Sequence, residues 1–72
     1  MKVYIVECYS DEYTAGIAVC SNIELAKKIL KDKAEQLIQD GGDIDWDIDG
    51  LGFDNRPYGD RYAIIATDVL EG

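Results

Sequence analysis

Seventy-two residues confine this chain to one small domain, 1–72, and 47% hydrophobic with 31% charged residues is the composition of a folded chain. A net charge of −8 repels nucleic acid and anionic membranes and attracts cations and basic protein surfaces. The absence of histidine removes histidine acid–base chemistry, the Ser-His-Asp and Cys-His nucleophile systems and the common zinc sites.

The N-terminal segment KVYIVECY, residues 2–9, is β-branched and aromatic and predicts a strand. Its apolar run is too short for a signal-peptide core, and no segment is apolar for long enough to span a membrane, so a cytoplasmic protein is the expectation. SDEYT reads as a turn and AGIAVC, residues 15–20, as a second strand, which makes an antiparallel hairpin. Cys8 and Cys20 fall inside these strands and are expected as buried, reduced thiols.

Ser21 followed by Glu24 has the spacing of a capping box. Ala26, Ile29, Leu30, Ala34, Leu37 and Ile38 then recur at helical spacing, with lysines and acids between them. One amphipathic helix is predicted from about residue 22 to about residue 39, ended by Gly41 and Gly42. Lys27, Lys28, Lys31 and Lys33 are interrupted by Asp32 and read as a solvated face.

Residues 43–49, DIDWDID, alternate without a break and predict a half-buried strand. Ile44, Trp46 and Ile48 would anchor it. Asp43, Asp45, Asp47 and Asp49 would form an outward row at roughly 6.6 Å intervals, of the order of the spacing of successive phosphates along a nucleic-acid strand. GLGFDNRPYGD holds three glycines and the single proline and reads as an irregular loop, before a last strand at 61–70. The predicted fold is therefore α+β, ββαββ, a mainly antiparallel sheet of three or four strands with the helix on one face.

That fold raises a difficulty. The first strand is apolar on both sides, with Val3 and Ile5 on one and Tyr4, Val6 and Cys8 on the other. One helix covers one face, so a homodimer or a partner protein is predicted to cover the second.

Charge gathers in the second half: residues 1–39 carry six acids and five bases, residues 40–72 nine acids and two bases. DWDIDG matches the opening of a calcium-binding EF-hand loop, but Gly52 stands where an apolar residue belongs, Arg56 replaces the bidentate glutamate, and Pro57 follows. No metal or other cofactor is assigned. Clustered carboxylates serve catalysis only in a concave, partly dry site, and the chain is not predicted to be an enzyme. The acid row instead suits a lysine- and arginine-lined groove on another protein. The expected contact residues are Asp43, Asp45, Asp47, Asp49, Asp54, Tyr58 and Asp60, with no direct contact to nucleic acid or membrane. The competing readings are a purely solvated strand face and an oligomeric module that sequesters a nucleotide or metal, using Arg56, Arg61 and tyrosines.

The start MKVYIVE followed by GIAVCSNIELAKKI resembles a loose class of small bacterial and bacteriophage proteins. These open with a Met-Lys-Val-Tyr strand, and their second strand runs into a Ser-x-x-Glu-capped helix. The resemblance covers about the first 35 residues, in structural positions only, and implies no catalytic residue; the acidic second half departs from it. Small acidic bacteriophage proteins often inhibit host defence or nucleic-acid enzymes, some by imitating DNA. The resemblance therefore implies a small inhibitor directed at a basic host protein.

Overall fold

The computed structural model of the chain describes residues 1–56 and 59–69. In chain order the elements are β1 (Lys2–Tyr9), β2 (Thr14–Cys20), α1 (Ile23–Gln39), β3 (Asp43–Trp46), β4 (Gly52–Arg56) and β5 (Asp60–Asp68). The strands form one antiparallel sheet in the order β2-β1-β5-β4-β3, and α1 packs on one face of it. The α+β class and the single helix agree with the sequence reading. The sheet has five strands rather than three or four.

The extra strand comes from the segment read as a loop. Phe53 and Asn55 of β4 are fully buried, while Asp54 between them and Arg56 after them are not, so the segment has the period of a strand. Its glycines hid that period. The predicted strand 43–49 is correspondingly shorter and ends at Trp46. Asp47 N–H donates to Gly52 O at 2.9 Å and Gly50 N–H to Asp47 O at 3.0 Å, which reverses the chain through a tight turn. Asp49 Oδ1 accepts from Leu51 N–H at 2.9 Å, the local side-chain bond that makes aspartate a turn former. Ile48 is therefore fully exposed at the turn; Ile44 anchors this strand as expected, and Trp46 does so in part, 41% exposed but packed against Phe53.

The helix begins one residue later than the capping-box reading. Asn22 is the N-cap, in an extended conformation, and its side chain accepts from Leu25 N–H at 2.8 Å. Ser21 lies outside the helix. At the other end Gly42 N–H reaches Leu37 O at 2.8 Å and Gly41 N–H reaches Ile38 O at 3.0 Å, a Schellman closure with Gly41 at φ 94°. Gly42 is packed tightly there. A Cβ on it would lie 2.5 Å from Asn55 Oδ1 and 2.9 Å from Leu37 O.

Topology explains the length of α1. The helix leaves β2 at one edge of the sheet and delivers β3 at the other. Four inter-strand steps span about 19 Å. A 17-residue helix reaches about 25 Å, enough to cross them. Along the way Ala26, Leu30 and Ala34 bury against Val6, Cys8, Cys20, Phe53 and Tyr62. The two small alanines let the helix backbone approach the aromatic side of that core. Phe53 is its centre, stacked on Tyr62 with ring centroids 5.0 Å apart and met edge-on by Trp46, also at 5.0 Å. Cys8 and Cys20 are free and buried, as expected.

The opposite face has no cover among the described residues. Val19 is 70% exposed and Ile65 39%, with Val3 and Ile5 half-buried beside them. The two edges differ in chemistry. The β3 edge carries Asp43 and Asp45, whereas the stretch from Tyr13 to Ile23, which includes all of β2, holds no charged residue. No helix among the described residues is long and apolar enough to cross a membrane.

Candidate protein-binding surface

Strand alternation divides the side chains of the sheet between its two faces. Ile44, Trp46, Phe53 and Asn55 turn toward the helix, which places Asp43, Asp45, Asp54 and Arg56 on the open face. Arg61, opposite Asp54 in the β4–β5 ladder, joins them. Toward β1 and β2 the same face is apolar: Ile5 lies opposite Val19 on one side and Ile65 on the other, and Val3 lies opposite Thr67. The open face thus has an apolar half and an acidic half, continuous with each other.

The acidic half is internally braced. Asp45 and Asp54 are direct cross-strand partners, an arrangement that like charges disfavour. Two arginines relieve it. Arg56 Nη2 donates to Asp45 Oδ2 at 2.8 Å, and both partners are more than half exposed. Arg61 grips Asp47 through both of its terminal nitrogens and also reaches Asp54 Oδ1 at 3.3 Å. On the neighbouring strand Tyr9 donates its hydroxyl to Glu7, which raises the phenol above its ordinary range, with burial adding to the effect.

The hydrogen bond from Arg61 holds the Asp47 carboxyl below its usual range, against a smaller opposing effect of desolvation. An ionised Asp47 is thus favoured by folding. Its contribution to stability is complete above about pH 4 and is lost as pH falls through the lowered native value. Asp47→Asn is expected to destabilise the protein at neutral pH and to converge with the wild type in strong acid. Urea midpoints of the two proteins across that range check this; a constant gap at every pH would contradict it.

The expected row of four outward acids is not formed. Asp43 and Asp45 lie on the strand. Asp47 is folded back onto Arg61, and Asp49 is spent on capping the turn and lies on the helix side. The physical reason is the reversal at residues 47–50, which ends the two-residue period. Asp54 does join Asp43 and Asp45, from β4. Asp60 is apart, beside the β1–β2 turn with Ser10 and Tyr13. Tyr58 lies outside the described residues. Sequence reasoning missed Ile5, Val19 and Ile65 as one surface with the acids, and Arg56 and Arg61 as their braces. Alternation within each strand carried the signal, but the register that aligns them was not readable.

Among the described residues no group of three or more Cys, Asp or Glu side chains is placed to hold a metal ion. The fold and this surface define a small α+β protein with one bare, two-part sheet face. Comparison with protein-family models, with curated proteins and with solved structures finds no match.

Proposed function

We propose that the chain is a non-catalytic binding module that recognises the basic surface of another protein, in the manner of a small inhibitor of a nucleic-acid-binding host enzyme. The observation that carries this reading is the continuity of Val3, Ile5, Val19 and Ile65 with Asp43, Asp45 and Asp54 on one uncovered face. Interfaces combine a dry centre with a charged rim. The apolar half supplies the first and the acidic half selects a partner rich in lysine and arginine and speeds encounter with it.

The test is capture of proteins from a bacterial lysate, followed by titration of the purified partner. A basic protein is expected to bind at low salt with an affinity that falls steeply as salt is added. Asp43→Asn/Asp45→Asn/Asp54→Asn is expected to weaken it while circular dichroism is unchanged. Equal affinity of variant and wild type, or binding indifferent to salt, would defeat the proposal. A second copy of the chain is the competing occupant, favoured by the exposed Val19 and the uncharged β2 edge. Sedimentation as a dimer that Val19→Glu converts to monomer would assign the apolar half to self-association.

A further inference from the structure

On the helix side, away from the surface just described, α1 and the turn after β3 form an open groove of about 450 Å³. That is within the range of small-molecule sites, ~300–1,000 Å³. Its floor includes Ala34, and Trp46 forms one wall. Lys27 and Lys31, one turn apart on α1, line it together with Glu35 from the helix and Asp49 from the turn.

Each group has a chemical use there. Trp46 is held edge-on by Phe53, which is itself stacked on Tyr62, so the indole is braced from behind. It is nevertheless 41% exposed, which leaves ring surface for stacking. Residues four apart on a helix are neighbours, so Lys27 and Lys31 present two ammonium groups side by side. Neither has an ion-pair partner among the described residues. With Glu35 and Asp49 also in the lining, the groove is neutral overall within a chain of net charge −8. Glu35 offers carboxylate oxygens as hydrogen-bond acceptors, whereas Asp49 Oδ1 already accepts from Leu51 N–H. A ligand that satisfies all of them has a flat aromatic ring with N–H donors on its edge and a compact anion at some distance from that edge.

We propose that this groove binds a purine nucleoside monophosphate of the guanine type. The base stacks on Trp46, its adjacent N–H groups face the Glu35 carboxylate, and the phosphate lies between Lys27 and Lys31. A free mononucleotide fits better than a nucleic-acid strand, because further phosphates would meet the field of a chain of net charge −8.

Trp46 is the single tryptophan, so its fluorescence reports on the groove directly. Titration with GMP is expected to quench it saturably, and guanosine to bind more weakly. Lys27→Gln/Lys31→Gln removes two exposed charges without touching the core; it is expected to weaken GMP about tenfold and to leave guanosine unchanged. A short 5′-phosphorylated oligoguanylate is expected to bind less well than GMP. Equilibrium dialysis with Trp46→Ala, which does not depend on the indole signal, is expected to show loss of GMP binding. Absence of saturable quenching at millimolar GMP would overturn the proposal. So would equal affinities for GMP and guanosine, tighter binding of the oligonucleotide, or a lysine variant that binds GMP as the wild type does.

Discussion

Phe53→Ala is expected to remove about 3–5 kcal/mol of stability, the range for truncating a fully buried aromatic residue. Phe53 has no exposed surface and joins Trp46 to Tyr62, so its loss opens a cavity between β3, β4 and β5 beneath the helix. A domain of 72 residues is stable by only roughly 4–11 kcal/mol. The substitution therefore takes a large share of the total, and the variant is expected to be partly unfolded near physiological temperature. The measurement is the urea midpoint followed by far-ultraviolet circular dichroism. Because Trp46 packs edge-on against Phe53, its emission in the folded variant is also expected to shift. A loss below about 1 kcal/mol would mean that the aromatic row is not the centre of the core.

Gly42→Ala is expected to cost about 1–3 kcal/mol, the usual penalty of forcing a methyl group into filled space. The added carbon would meet Asn55 Oδ1 at 2.5 Å and Leu37 O at 2.9 Å. The second contact is with backbone that also accepts the Gly42 N–H, so relief by movement weakens the helix closure. The first is with a side chain that is 2% exposed, and its Oδ1 has no hydrogen-bond partner among the described residues. The two positions should therefore be coupled. In a double-mutant cycle with Asn55→Ala, the cost of Gly42→Ala is expected to fall by about 0.5 kcal/mol or more. Strictly additive costs would show that the clash lies with Leu37 alone.

The first half of the fold was legible because each element there carries its own signal. β1 is dense in β-branched and aromatic residues, and α1 shows an apolar stripe with a polar cap and two closing glycines. The second half misled for two reasons. The alternation of DIDWDID continues into a turn, because aspartate at 47 and 49 suits both an exposed strand face and a reversal. GFDNR conceals a strand, because one of its buried residues is the polar Asn55 and its first is a glycine. The acidic region was recognisable by composition. Its bracing was not, because Asp47 and Arg61 are 14 positions apart and meet only through the β3–β4–β5 register.

The unlike edges of the sheet would limit any edge-to-edge association of this protein. A strand added to β2 meets an uncharged backbone ladder, whereas one added to β3 meets Asp43 and Asp45. Two chains joined β2 to β2 would form a continuous ten-stranded ribbon with an acidic rim at each end. Neither rim would accept a third copy, so such growth would stop at two chains.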